Sequence, residues 1–320
     1  MYSVIRSKSC GRSVTTVLLL SVLMFACSSS PRSKYPQATL LTRPPEEDAS
    51  WLVWSPNGMY IAVSHWSSSL SVSKRHSAVY VFDLATGEYR LLLNDLDTTI
   101  AQSWSPDSEE ILFFSAGGQY ASGIWRARRD ESEPPSFLAD GTNAAWSGGG
   151  RIAVLSMGNQ DIVLDVLESD PPWEATIFQG MGIGIDGLSW SPDGRMVALS
   201  ADITEGGYDY NLFVTDLATR NLIQLTNVGT NHRPAWSPAQ DLIAYEGALP
   251  NESEYSIFLT NSTGECVVRI PGSGGAHSPS WSPDGRRIAF IGLDGYIYAL
   301  DLAQVMGDDF LSNGLVCPDT

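Results

Sequence analysis

Cysteine and positive charge are both scarce in this chain of 320 residues. Its four cysteines are too few for a small disulfide scaffold, and none of them forms a CxxC pair of the kind that binds zinc. Nineteen lysine and arginine residues face 36 aspartate and glutamate residues, which gives a formal net charge of −17. Such a surface repels phosphate backbones, so the composition argues against nucleic acid as a partner.

Long hydrophobic runs are also missing. The apolar stretch from Val14 to Ala26 has 13 residues, fewer than the roughly 20 that a membrane-spanning helix needs. The positive charges of Arg6, Lys8 and Arg12 precede it, so residues 1–26 are predicted to be an export signal.

Cys27 follows that stretch directly, after the small residue Ala26. This junction resembles the lipobox of bacterial lipoproteins, in which the cysteine is diacylated and becomes the mature N-terminus. The resemblance implies a membrane-anchored lipoprotein on the periplasmic or extracytoplasmic face, with residues 27–37 as a linker. Simple secretion with an incidental Cys27 is the alternative.

The body of the chain carries a repeat that is built on the dipeptide Trp-Ser. Its tryptophans are Trp54, Trp104, Trp146, Trp190, Trp236 and Trp281. The intervals of 50, 42, 44, 46 and 45 residues fall in the range of propeller blades. No long segment has helical periodicity, so the fold class is predicted to be all-β.

Blade four shows the repeat in full. A short strand ends at Trp190, the turn Ser191-Pro192-Asp193-Gly194 follows, and strands are predicted over 195–200, 212–216 and 222–226. Proline, aspartate and glycine in that order suit a tight hairpin turn. The sequence therefore predicts a six-bladed β-propeller with four-stranded blades, in which the tryptophans fill the wedges between sheets.

The sixth unit lacks an outer strand of the usual kind after Leu302. The segment Ala38–Thr42 resembles the predicted outer strand Leu222–Thr226 of blade four. We therefore expect the N-terminal strand to become the outer strand of the last blade and to close the ring. The propeller is predicted over residues 38–303, and residues 304–320 form a C-terminal tail.

The motif Trp-Ser-Pro-Asp-Gly, followed by Arg-x-Ile-Ala-Phe and an aromatic strand ending like Asp83–Gly87, resembles the WD-like repeat of the TolB family. The same repeat is found in the propellers of tricorn protease and dipeptidyl peptidase IV. TolB proteins carry a further N-terminal α/β domain, whereas about 25 residues separate Cys27 from Trp54 here, so the resemblance covers the propeller portion alone. Peptidase relatives add a GxSxG hydrolase motif, which this sequence lacks. The prediction is a non-enzymatic scaffold without a cofactor.

Irregular loops are predicted on one face of the propeller, over residues 64–78, 201–210 and 247–255. Function favours irregular loops on a rigid scaffold. The candidate partner-binding residues on this face are Trp66, Arg75, Tyr208, Tyr210 and Glu252. We expect a monomer that binds a protein or peptide of the cell envelope; simple solvated loop residues are the alternative.

A second set of residues stands four positions before the repeat tryptophans, where a ring converges on its channel. Asp186, His232 and His277 are metal-ligand types at these positions. They are the candidates for a second hypothesis, a lactonase- or cyclotransferase-type enzyme with a metal at the channel mouth. Local loop chemistry is the alternative interpretation of these residues, and glycan binding is a third function. Cys266 and Cys317 are a candidate disulfide, since an exported chain permits one.

Overall fold

The computed structural model describes residues 34–45, 49–66, 77–95, 98–158, 161–167, 173–179, 184–203, 209–307, 310 and 315. Residues 1–34 and 35–320 form two separate units. The predicted signal peptide and Cys27 lie outside the described residues. No helix in the described part of the chain is long and apolar enough to cross a membrane.

The second unit is a ring of six antiparallel sheets with four strands each. Strand β1 (Ala38–Thr42) precedes blade one, which comprises β2 (Ala49–Trp54), β3 (Tyr60–Trp66), β4 (Ser77–Asp83) and β5 (Tyr89–Asp95). Blade two comprises β6 (Thr99–Trp104), β7 (Glu110–Ser115), β8 (Gly123–Arg128) and β9 (Ser136–Ala139). Blade three comprises β10 (Asn143–Trp146), β11 (Ile152–Met157), β12 (Ile162–Leu167) and β13 (Trp173–Phe178).

The other three blades repeat this order. Blade four comprises β14 (Gly184–Trp190), β15 (Met196–Asp202), β16 (Tyr210–Asp216) and β17 (Leu222–Gln224). Blade five comprises β18 (Thr230–Trp236), β19 (Ile243–Ala248), β20 (Ser256–Thr260) and β21 (Val267–Arg269). Blade six comprises β22 (His277–Trp281), β23 (Arg287–Ile291) and β24 (Ile297–Asp301), with β1 as its fourth strand. The prediction of an all-β, six-bladed propeller is confirmed.

Strand β1 closes the ring as predicted. It pairs antiparallel with β24, and Leu40 lies opposite Tyr298. Because the last blade takes its outer strand from the start of the domain, main-chain hydrogen bonds between β1 and β24 hold the segment that precedes blade one to blade six. Their facing sides also share a core cluster that includes Leu52 and Ile291.

Tyr35 strengthens this closure, although its sequence position predicts a linker residue. Its side chain is 1% exposed and its ring packs against Phe290 and Tyr298, with centroids 5.0 and 4.9 Å away. Its hydroxyl accepts a hydrogen bond of 3.0 Å from the main-chain N–H of Leu293. The propeller core therefore begins before β1.

The repeat tryptophans lie between neighbouring blades, as expected for wedges. The residue before each tryptophan alternates between an apolar residue and serine: Val53, Ser103, Ala145, Ser189, Ala235 and Ser280. Each serine hydroxyl accepts the main-chain N–H of the next blade's tryptophan, at 2.9 to 3.0 Å. At the apolar positions the carbonyl instead accepts the indole N–H of the next tryptophan, at 2.8 to 3.0 Å.

Five of the six innermost strands contain a register shift, namely β2, β6, β14, β18 and β22. Three bulge residues have left-handed backbone: Gly187 with φ 100°, Arg233 with φ 52° and Ser278 with φ 53°. Such conformations are strained for residues other than glycine. The bulges rotate side chains of the innermost strands at mid-channel, where the candidate site lies.

The described residues after blade six pack on the propeller. A short helix, α1 (Leu302–Met306), is capped by the Asp301 carboxylate, and Phe310 is buried in the core cluster of blades five and six. Buried Cys266 is disulfide-bonded. Cys317 lies outside the described residues, so its pairing with Cys266 stays a prediction.

Candidate functional site

The central channel contains a cavity of about 390 Å³ that all six blades line. Its wall includes Trp51, Gln102, Trp146, Gly187, Arg233 and Ser278. The lining extends from these mid-channel residues to the Ser-Pro turns and includes none of the positions four residues before each tryptophan. The cavity therefore occupies the half of the channel that opens on the Ser-Pro face, opposite the predicted irregular loops.

The rim of the cavity is mostly proline. The second residue of the turn lines the cavity in five blades: Pro56, Gly148, Pro192, Pro238 and Pro283. At blade three the turn reads Ser-Gly-Gly-Gly, so a glycine stands where the others have a pyrrolidine ring. A Cβ built on Gly148 meets no atom within 4 Å, and the rim is consequently lower at this blade.

Arg233 lies at the floor of the cavity and hydrogen-bonds to the two blades that follow its own around the ring. Its Nη1 donates to the carbonyl of Ser50 at 3.2 Å and to the hydroxyl of Ser278 at 2.7 Å. Ser50 belongs to blade one and Ser278 to blade six, whereas Arg233 belongs to blade five. The guanidinium carbon lies 4.4 Å from the centre of the Trp51 ring, a cation–π stack that fixes the plane of the donors.

Two carboxylates surround this guanidinium. Oε2 of Glu246 lies 3.4 Å from Nη1, and Oδ2 of Asp186 lies 3.8 Å from Nε. Glu246 is held in place because its Oε2 also accepts the main-chain N–H of Ser278 at 2.6 Å. Burial favours the neutral form of Asp186, but the contact with His232 and the charge of Arg233 outweigh burial and lower its pKa. Burial disfavours the charged form of Arg233, yet Glu246 and Asp186 raise its pKa above the usual value, so the arginine is a cation.

His232 lies on the irregular-loop side of this network. Its Nδ1 is 3.0 Å from Oδ2 of Asp186, without the alignment of a hydrogen bond. Its ring packs against Tyr210 in a tilted arrangement, with centroids 4.4 Å apart, and against Tyr255 edge to face, with centroids 5.7 Å apart. His277 lies nearby, and its burial lowers its pKa. These residues are absent from the wall of the cavity.

The structure brings the predicted metal candidates to the channel but does not arrange them for a metal. Within the described residues, no group of three or more His, Cys, Asp or Glu side chains stands close enough to hold an ion. The positive charge opposite Asp186 is that of the Arg233 guanidinium. Sequence reasoning missed Arg233; its one local signal is the residue pair Arg233-Pro234 within an innermost strand.

Only some of the predicted partner-binding residues lie in the described part of the chain, and these have different surroundings. Arg75, Tyr208 and the side chain of Trp66 lie outside the described residues. Tyr210 begins β16 and packs inward on His232, and Glu252 pairs with Arg269 at 2.8 Å. Glu252 lines a second cavity of about 620 Å³ between blades four and five, together with Asp209 and Asn211. The recognition role of this face stays a prediction.

The irregular loops are shorter than predicted. Strand β3 runs to Trp66, β15 to Asp202 and β19 to Ala248. Residues expected in loops, such as His65 and Asp202, are therefore buried in strands.

No family model and no curated protein matches the sequence. Among solved structures, a protein assigned as TolB in Agrobacterium tumefaciens is 19% identical with a TM-score of 0.58, over 80% of this chain and 90% of that one. TolB from Acinetobacter baumannii is 17% identical with a TM-score of 0.56, and the match spans 80% of this chain but 63% of the TolB chain. The chain is thus a TolB-like propeller in fold.

An enzyme shares the fold as well. Hydrazine synthase from Kuenenia stuttgartiensis is 15% identical with a TM-score of 0.58, over 86% of this chain and 82% of that one. At these identities the likeness establishes the fold alone, so the function has to come from the site.

Proposed function

We propose that this TolB-like propeller is a non-enzymatic, monomeric scaffold of the cell envelope that takes an extended segment of a protein partner into its channel. The cavity lined by all six blades is the observation that supports this proposal. Its volume of about 390 Å³ lies in the range of ligand pockets, roughly 300 to 1,000 Å³. The partly buried indoles of Trp51 and Trp146 provide apolar contact, and Arg233 provides a polar floor.

The glycine at the rim indicates how a segment enters. Every other lining turn presents a proline, whereas Gly148 leaves open space at blade three. A chain that enters the cavity has to leave it across the rim, and the gap at blade three gives it room. Partner binding should therefore depend on Gly148.

Replacing Gly148 with tryptophan should remove partner binding while the propeller stays folded. Gly148 lines the cavity, and a Cβ there meets no atom within 4 Å, so we expect an indole at this position to cover the cavity mouth without disturbing the turn. Gly149→Trp is the matched control, since Gly149 is outside the cavity lining and a Cβ there meets one atom at 4.0 Å. Capture from envelope extracts, with comparison of bound proteins by mass spectrometry, measures the effect.

The expected partner is retained by the native chain and by Gly149→Trp, and is reduced at least about tenfold by Gly148→Trp, or ~1.4 kcal/mol. Equal retention by all three chains would contradict channel binding. Loss of the partner with Tyr210→Ala and Glu252→Ala, but not with Gly148→Trp, would instead support the irregular-loop face.

The proposed location rests on the N-terminal motif, and Cys27 is the proposed lipid attachment site. Two acyl chains anchor a protein stably where one is marginal. Cys27→Ser should move the protein from the membrane fraction to the soluble fraction and abolish incorporation of labelled palmitate, whereas Ser28→Ala should change neither. Labelling of Cys27→Ser at the level of the native chain would exclude Cys27 as the lipid attachment site.

A further inference from the structure

Trp146 differs from the other five repeat tryptophans in its burial. Those five are all buried, whereas Trp146 is only partly buried and lines the channel cavity. Within the described part of the chain, no aromatic ring stacks on its indole and no cation lies over it. A ligand in the cavity can therefore reach this ring.

At the other tryptophans, a side chain of the preceding blade covers the indole. This side chain is that of the residue just before the one that pairs with the preceding blade's own tryptophan. In three cases it lies over the ring, at these distances between ring or guanidinium centres: Tyr60 on Trp104 at 6.1 Å, Arg151 on Trp190 at 5.0 Å and Arg287 on Trp54 at 5.1 Å. In the other two cases it packs in the tryptophan's core cluster: Met196 with Trp236 and Leu242 with Trp281.

Glu110 occupies the equivalent position in blade two, at the start of β7, so the repeat places it next to Trp146. A carboxylate does not stack on an indole, because the face of an aromatic ring is itself negative. The Glu110 carboxylate makes no hydrogen bond or ion pair with any described residue. Arg128 lies opposite Glu110 in the sheet but pairs with Asp130 at 3.3 Å.

An open tryptophan ring beside a carboxylate suits a cation. A guanidinium fits best, because its plane can stack on the ring while its N–H groups donate to the carboxylate. The arginine at the cavity floor does not oppose a second cation, since Asp186 and Glu246 lie 3.8 and 3.4 Å from its nitrogen atoms and outnumber its charge. The net charge of −17 also attracts basic ligands to the protein.

We infer that Trp146 and Glu110 form a subsite for an arginine side chain of the inserted segment. This inference rests on the proposed function, because the arginine enters through the same cavity, at the blade where Gly148 lowers the rim. It adds the chemistry of the partner: the segment that the channel takes is basic.

The test compares N-acetyl-L-arginine amide with N-acetyl-L-citrulline amide, which have nearly the same shape and differ in the charge of the side chain. Each is titrated into the mature chain while the indole N–H signals of its tryptophans are followed by NMR. Trp146→Phe identifies the Trp146 signal by its disappearance. Glu110→Gln removes the carboxylate charge and keeps the shape of the side chain. Glu88→Gln is the matched control, since Glu88 is exposed in a turn of blade one.

The arginine probe should shift the Trp146 signal saturably and bind at least about fivefold more tightly than the citrulline probe, as expected for a cation on an indole. Glu110→Gln should reduce this ratio at least about twofold, and Glu88→Gln should leave it unchanged. Equal binding of the two probes would overturn the inference, and so would a ratio that Glu110→Gln does not change.

The inference and the proposed function can fail separately. If neither probe shifts the Trp146 signal but Gly148→Trp still removes the partner, the arginine subsite is wrong and the proposed function stands. Partner retention by Gly148→Trp would remove the function itself.

Discussion

Arg233→Met should lower the free energy of unfolding by about 3–5 kcal/mol, the loss typical of breaking a buried ion pair by removing one partner. Methionine fills much of the space but leaves Asp186 and Glu246 without their cation. The side chain of Glu246 is 6% exposed, so water cannot replace the lost partner. The hydrogen bonds to Ser50 and Ser278, which join blade five to blades one and six, are lost as well.

The loss of unfolding free energy caused by Arg233→Met should depend on pH. The folded-state pKa of Asp186 lies below its usual value, in part because of Arg233. A lowered carboxyl pKa stabilises the fold above the unfolded-state pKa of roughly 3.9, and this stabilisation is lost as the pH falls through the folded-state value. The difference in unfolding free energy between the native chain and Arg233→Met should therefore be greatest near neutral pH and should decrease below about pH 4.

Urea unfolding at several pH values measures this effect, and Arg195→Met is its control. Arg195 lies 3.7 Å from Asp216 with a side chain that is 69% exposed, and such surface pairs contribute about 0–1 kcal/mol. If Arg233→Met loses no more unfolding free energy than Arg195→Met, then the ion pairs of Arg233 with Asp186 and Glu246 do not stabilise the ring.

Tyr35→Ala should destabilise the propeller by about 3–5 kcal/mol, the usual cost of removing a fully buried aromatic side chain. The ring of Tyr35 fills space beside Phe290 and Tyr298. Its loss leaves a cavity at the junction where β1 is fastened to blade six. Tyr35→Phe keeps the ring and removes the acceptor for Leu293, so it should cost about 1 kcal/mol.

Leu40→Ala is the matched control for closure, because Leu40 lies in β1 itself but is 41% exposed. It should change stability by no more than about 0.5 kcal/mol. Hydrogen exchange of the amides in β1 and β24 reports on the seam directly. If Tyr35→Ala unfolds at the same urea concentration as Leu40→Ala, then Tyr35 does not secure the ring.

The two sets of variants separate the roles of the channel. Arg233 is both a tie between blades and part of the wall of the proposed binding cavity. A Cβ added at Gly148 meets no atom within 4 Å, so a substitution there should affect access alone. If Gly148→Trp loses the partner while its free energy of unfolding is unchanged, the loss reflects binding alone. A variant of Arg233 needs both measurements, because loss of stability and loss of binding arise from the same guanidinium.

The sequence by itself determined the number of blades, the four strands of each and the closure by Ala38–Thr42. These features are encoded locally: each repeat carries its own tryptophan, turn residues and alternating strands, so one pattern recurs six times. Even the alternation of serine with an apolar residue before the tryptophans is visible in the sequence, although its hydrogen bonds are not.

The tertiary structure alone decided the functional site. Arg233 hydrogen-bonds to Ser50, which is 183 positions away in the chain, and no spacing or motif connects the two. Tyr35 belongs to the core, and not to a linker, because blade six offers a space that only the closed ring creates. Gly148 is an ordinary turn residue in the sequence and becomes a gap in a rim only when four prolines stand around the same channel. Contacts between distant segments arise from closure of the ring, and local chemistry does not record them.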